Sequence, residues 1–238
     1  MLPLLALIPL IVGGSIFIGG EIWDILTDDS KKTLRACKKI VILGDRGSGK
    51  TTLWNGLRGL RTSGGYTQTM GLENIESFDI KVNGRTVTIA KGADIGGSEE
   101  LVGSYYKKLL TVEGDKLILV DKNSDELPFI LDGNNCIVGK TVVFYLVSAA
   151  DLIQRGRVCA RENGARLKRC KALLGENGVI FLLLSQKNKF IKECGNSQMA
   201  ELIKWSHCYF DEYGCEGHIP VELTNSDDIE AVKKLIIR

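Results

Sequence analysis

The sequence predicts an α/β fold in three layers, with helices on both faces of a mostly parallel sheet that carries one antiparallel edge strand. Three observations point there. An apolar run at 40–43 ends in Gly44-Asp45-Arg46-Gly47-Ser48-Gly49-Lys50-Thr51 and opens a helical pattern. Two alternating stretches, 74–82 and 85–90, are joined by Asn83-Gly84, a dipeptide suited to the positive φ angles of a type I′ hairpin. Further on, apolar runs at 141–147 and 178–184 alternate with helical patterns, and the second is apolar throughout, as a strand covered on both faces requires.

The chain has 238 residues, room for one sizeable α/β domain and an appendage. Its net charge of +2 gives no reason to expect nucleic acid as a partner. The seven cysteines form no C-x-x-C pair and are odd in number, which argues against a disulfide framework and for a reducing compartment. His207 and His218 lie near Cys208 and Cys215, but the spacing matches none of the zinc patterns, so no zinc site is expected.

Residues 1–20 carry no charged side chain, and about 20 apolar residues span a bilayer core. The sequence lacks the basic start and small-residue cleavage site of a signal peptide. Pro3 and Pro9 would kink a helix, which a membrane tolerates better than water. A transmembrane signal anchor at 1–22 is therefore expected, with a peripheral or buried helix as the other reading. Lys31, Lys32, Arg35, Lys38 and Lys39 fall in or beside a linker at 23–38, and the positive-inside rule then puts the domain at 39–238 in the cytoplasm.

The eight residues from Gly44 to Thr51 fit G-x-x-x-x-G-K-[ST], the phosphate-binding P-loop. Glycines at 44, 47 and 49 let the backbone turn its N–H groups inward, and Asp45, Arg46 and Ser48 complete the loop. Lys50 sets a positive charge against the β- and γ-phosphates, Thr51 offers a hydroxyl to Mg²⁺, and Thr52 continues the helix, whose N-terminal dipole favours the same anion. The helix is expected over 51–60. This motif binds a nucleoside triphosphate and does not choose between ATP and GTP.

After the hairpin comes Asp94-Ile95-Gly96-Gly97-Ser98-Glu99, placed for an aspartate that faces Mg²⁺ and for the Gly97 N–H to reach the γ-phosphate. P-loop, threonine loop, hairpin and Asp-x-Gly-Gly, in this order, resemble Ras-superfamily small GTPases. The nearest likeness is to the Arf/Sar group or the β-subunit of the signal-recognition-particle receptor, through Gly49-Lys50-Thr51-Thr52, Thr69-Met70-Gly71 and Asp94-Ile95-Gly96-Gly97. The resemblance implies that Thr69 senses Mg²⁺ and γ-phosphate, and that a protein partner docks near Thr69 and Asp94.

The sequence departs from that family at several places. Ser98 stands where the family has the glutamine that orients water, so hydrolysis should be slow. Lys91-Gly92-Ala93 interrupts the apolar run before Asp94, and 115–140 reads as an inserted hairpin, with strands at 116–121 and 128–131. The segment 116–121 is also an alternative fourth core strand, with 141–147 preferred. At the end of the 178–184 strand the family's Asn-Lys-x-Asp is Gln186-Lys187-Asn188-Lys189, and Lys189 is a donor that cannot accept from guanine as the aspartate does. Gln186 and Lys187 still stand to bracket the base. A basic helix at 152–174, a helix at 198–213, a strand at 219–223 and a helix at 227–236 complete the chain; Thr224-Asn225-Ser226 sits where the resemblance puts a last base-contacting loop, and Ser226 equally suits the N-cap of that helix.

The expected protein is a membrane-anchored GTP-binding switch or partner tether with weak hydrolysis, using GTP or GDP and Mg²⁺. A P-loop ATPase and a permanently loaded membrane scaffold are the alternatives.

Overall fold

A computed structural model of the chain describes residues 10–12, 15–19, 35–60, 72–90, 92–95, 117–120, 129–132, 136–138, 141–176 and 178–237. At its centre β4 (Ile40–Gly44), β12 (Thr141–Ser148), β13 (Gly178–Ser185) and β14 (His218–Pro220) form a parallel sheet in the order β14-β13-β12-β4. The segment 141–148, rather than 116–121, takes the place between β4 and β13.

Every residue of β4 and β12 is buried, because both faces of these strands are covered. Successive side chains point to opposite faces. Val41, Leu43, Val143, Tyr145, Leu182 and Leu184 pack against α3 (Arg157–Leu174), α4 (Lys187–Cys194) and α5 (Met199–Phe210) through Leu167, Cys170, Phe190, Leu202 and Phe210. Ile40, Ile42, Phe144, Leu146, Phe181 and Leu183 meet α1 (Lys50–Leu57) and α6 (Ser226–Ile236) through Leu53, Trp54, Ile229, Val232 and Leu235. Each such side chain contributes roughly 1.5–3 kcal/mol relative to exposure, so these two clusters hold the three layers together.

One residue before β4, the chain forms β3 (Arg35–Lys38), which pairs in parallel with β7 (Arg85–Ile89). Lys38 O accepts from Ala90 N at 3.0 Å and Lys39 O from Val142 N at 2.8 Å, so the two sheets meet along this run. Read across it, the order is β6 (Phe78–Val82), β7, β3/β4, β12, β13, β14, with β6 antiparallel at the edge as expected. Asn83 (φ +50) and Gly84 (φ +76) make the I′ turn.

The interruption expected at 91–93 is not an end of the hairpin. β5 (Leu72–Ile75) pairs antiparallel with β8 (Gly92–Ile95), and Ile75↔Gly92 keeps the register of Phe78↔Ile89 across the break. Gly92 is required there by packing: a Cβ on it would lie 2.9 Å from Trp54 Cη2. Trp54 is itself buried, edge-on to Phe78.

Antiparallel pairing goes beyond the single edge strand. β9 (Leu117–Val120) pairs with β10 (Phe129–Asp132), and β10 with β11 (Cys136–Val138), which runs parallel to β3. The helix expected at 1–22 also differs: β1 (Leu10–Val12) and β2 (Ser15–Gly19) are antiparallel strands, with β2 parallel to β9. The sequence signal for that is Gly13-Gly14 between the short apolar runs 10–12 and 16–18. No helix among the described residues is long and apolar enough to cross a membrane.

The helix expected at 152–174 is two, α2 (Ala149–Arg155) and α3, separated by Gly156 at φ +47. Helix α4 had no counterpart in the sequence reading. Asn225, not Ser226, caps α6, its Oδ1 accepting from Asp227 N and Asp228 N at 2.8 and 3.1 Å. We expect Gly92→Ala to lower stability by about 1–3 kcal/mol through overpacking against Trp54, read from the urea midpoint.

Candidate functional site

Parallel register brings the ends of three strands to one edge, since Gly44 lies level with Leu146 and Ser148 with Ser185. From that edge the P-loop departs with Gly44, Gly47 and Gly49 at φ +141, +75 and +95. Gly44 has a steric reason as well: a Cβ there would lie 2.3 Å from Leu146 O. At Gly49 a Cβ would lie 2.5 Å from Leu223 Cδ1, so the loop after β14 closes on the P-loop.

Helix α1 starts directly from this loop. No side chain caps it and no acidic residue occupies its first turn, which leaves its first N–H groups suited to an anion. Ser48, buried, donates through Oγ to Asp45 O at 2.8 Å and stiffens the turn. Lys50 is only 8% exposed and folds back, donating through Nζ to Gly44 O at 3.0 Å and Asp45 O at 2.8 Å. Burial pushes its ammonium below the ordinary lysine value; Asp94 and Asp45 oppose that shift, and Arg166 adds to it. Arg46 is exposed at the loop's outer side, and Thr52 is half-buried on α1.

Thr51 Oγ1 donates to Asp94 Oδ2 at 2.5 Å, and Asp94 is 2% exposed at the end of the hairpin. A hydroxyl and a carboxylate, side by side next to the phosphate loop, are the hard oxygen donors that Mg²⁺ takes, so these two residues fit that ion. Thr69 and Gly97 lie outside the described residues, as do Ser98 and Glu99.

The opposite wall comes from residues the sequence reading did not select. Asp45 is held from α3: Arg166 Nη1 forms an ion pair with its Oδ1, and Asn163 Nδ2 donates to its Oδ2 at 2.7 Å. Asn163 is fully buried, accepts from Tyr145 Oη at 3.0 Å and donates to Cys159 O at 2.9 Å. One basic residue of the predicted 152–174 stripe thus faces the loop, while Arg157, Arg161, Lys168, Arg169 and Lys171 lie on the exposed side. The only available sequence signal was an Asn at helical spacing from the apolar positions of α3.

At the end of β13, Gln186 adopts φ +60 and donates through Nε2 to Gly47 O at 3.0 Å, while Ser148 Oγ donates to its Oε1 at 3.2 Å. It therefore ties the P-loop to the ends of β12 and β13. Lys187 Nζ pairs with Asp228 Oδ2 at 2.9 Å, and Asp228 also accepts from Glu222 N at 2.7 Å. Glu222 Oε2 accepts from Asn188 N at 3.1 Å. Lys189 is exposed.

No family profile matches the sequence, and no curated protein matches it. Among solved structures it is similar to Roco2 RocCORdC of Methanosarcina barkeri bound to GDP, at a TM-score of 0.51 and 16% identity over 86% of this chain. The chain spans 50% of that protein's length. At that identity the likeness shows the fold: a P-loop α/β domain with a parallel sheet, shared with a GDP-bound protein. It does not extend to the Arf/Sar or receptor β-subunit subtype.

Asn163→Ala removes the hydrogen bonds to Asp45, Tyr145 and Cys159 together. We expect a loss of about 1–3 kcal/mol in stability, measured by chemical denaturation, and weaker nucleotide binding by calorimetry because Asp45 loses one of its two anchors on α3.

Proposed function

We propose that the protein binds a guanine nucleotide with Mg²⁺ and acts as a switch or tether of the small-GTPase kind. The observation that carries this is the Thr51–Asp94 contact beside the P-loop: it sets a hydroxyl and a carboxylate together against amides and an ammonium already gathered for phosphate. Gly44, Asp45, Arg46, Gly47, Ser48, Gly49, Lys50, Thr51 and Thr52 form the phosphate cradle. Lys50 leaves the Gly44 and Asp45 carbonyls to meet the β- and γ-phosphates. Thr51, Asp94 and Thr69 hold Mg²⁺, which when bound neutralises phosphate charge.

Gln186 and Lys187 border the base, while Thr69 and Gly97 respond to the γ-phosphate, so their loops are where a protein partner reads the nucleotide state. Hydrolysis is slow because Ser98 is too short to orient water. The Arf-like subtype rests on Thr69-Met70-Gly71 and Asp94-Ile95-Gly96-Gly97 alone. An ATPase is the second reading, favoured by Lys189 in place of the guanine-reading aspartate.

The uncharged stretch 1–20 supports attachment to a membrane, and the basic residues Lys31, Lys32, Arg35, Lys38 and Lys39 support the cytoplasmic side for the domain, although the strands Leu10–Val12 and Ser15–Gly19 argue against a helical form of the attachment. On alkaline-carbonate extraction, the full chain should stay in the membrane pellet; release to the supernatant rejects the attachment.

A thermal-shift comparison of the full chain with Mg²⁺ and GTP, GDP or ATP tests the nucleotide. The guanine nucleotides should stabilise more than ATP, Lys50→Ala should abolish the shift with little loss of fold, and single-turnover hydrolysis should run below ~10⁻³ s⁻¹. Equal stabilisation by ATP contradicts the guanine assignment.

A further inference from the structure

His218 opens β14 at the end of the strand opposite the nucleotide loops, and it meets two residues from the end of α5. His207 lies in the last turn of that helix, and Asp211 in the 3-10 turn Asp211–Tyr213 that follows. His207 Nδ1 is 2.8 Å from Asp211 Oδ1, and His218 Nε2 is 3.1 Å from the same oxygen. The two imidazoles stack with centroids 3.9 Å apart and planes 17° from parallel. One ligand atom from each of the three residues fits within a 4.8 Å span. The sequence spacing that gave no zinc pattern conceals this cluster, because the fold rather than a motif brings its members together.

The hydrogen bonds behind His218 fix what its buried nitrogen presents. Its side chain is 1% exposed, and its Nδ1 is 2.8 Å from Ser206 Oγ. Ser206 Oγ donates to Ile203 O at 2.8 Å. A hydroxyl carries one proton, so Ser206 accepts from His218 Nδ1–H, and in the neutral ring Nε2 is then bare. That nitrogen is buried without a hydrogen bond, yet it faces a carboxylate oxygen. Two lone-pair acceptors at this distance repel unless a cation bridges them. A proton is one such cation. A metal ion meets the same need without protonating the ring.

We propose that His207, Asp211 and His218 bind a divalent transition-metal cation, Zn²⁺ by the ligand set, through His207 Nδ1, His218 Nε2 and an Asp211 carboxylate oxygen, with water completing the shell. Two imidazoles select against Mg²⁺, which the all-oxygen pair Thr51 and Asp94 suits instead. Ser206 acts as the outer partner that orients the His218 ring. His207 and Asp211 are exposed, so His207 is free to leave its stack on His218 and turn its in-plane lone pair, with Asp211, toward one point, whereas His218 is fixed by its burial. Occupancy pins the end of α5 to the start of β14, independently of nucleotide.

The test uses the full chain, freed of metal by chelation and without nucleotide, titrated with ZnCl₂ by calorimetry and with CoCl₂ by visible absorbance. We expect one equivalent bound, a raised Tm, and a cobalt spectrum lacking a thiolate charge-transfer band. His207→Ala and Asp211→Asn change exposed side chains, so both should keep the native circular dichroism while losing affinity by more than about tenfold. The proposal is overturned if both variants bind as tightly as the parent. A thiolate band, which would place the metal on cysteines, overturns it equally, as does the absence of binding at millimolar Zn²⁺.

Discussion

With β4, β12 and β13 in parallel, and almost every side chain on them buried, the register of three strands sets the position of everything that follows from their ends. A slip of one residue would exchange Val41 and Leu43 for Ile40 and Ile42 on each face, and the two clusters would no longer match their helices. At the edge this register creates, Gly44 lies against Leu146 O too closely for any side chain. The phosphate loop, the capped start of α2 at Ser148 and the turn at Gln186 therefore share one rim, and Gln186 joins them by hydrogen bonds to Gly47 and Ser148. The loop's shape is held by sheet geometry together with its own glycines and the Ser48 and Lys50 hydrogen bonds.

Much of this was legible where the signal is local. The run 38–52 encodes strand, turn and helix in consecutive residues, and Asn83-Gly84 encodes its hairpin through the φ it tolerates. The motifs single out Thr51 and Asp94 separately, and folding brings their side chains into a hydrogen bond. What depended on distant contacts was not legible. Asn163 and Arg166 look like ordinary residues of a basic helix until folding sets them against Asp45. Gly92 read as an interruption because nothing local shows Trp54 beneath it. Composition is ambiguous at the N-terminus, where an uncharged apolar stretch fits a membrane helix and an Ile-containing strand pair about equally well. The described residues there are strands.

The two ends of the sheet carry different chemistry. At the carboxyl ends of the strands, oxygens, amides and one ammonium are arranged around the phosphate loop. At the start of β14, imidazoles and a carboxylate converge, with the buried His218 nitrogen left bare. Lys187 is engaged by Asp228, whose carboxylate also holds the Glu222 amide, and this ties the turn after β13 to the loop after β14. That tie fixes the turn where the proposed nucleotide's base would lie, with Lys189 exposed beside it.

We propose that Lys50, held by the carbonyls of its own loop, turns to phosphate when nucleotide binds. A crystal structure of the full chain with Mg²⁺ and GDP tests it most directly. We expect the β-phosphate against the amides of the 44–51 loop, with Lys50 Nζ moved from Gly44 O and Asp45 O onto phosphate oxygen. A nucleotide bound elsewhere, or Lys50 still on those two carbonyls with the phosphates in place, would contradict it.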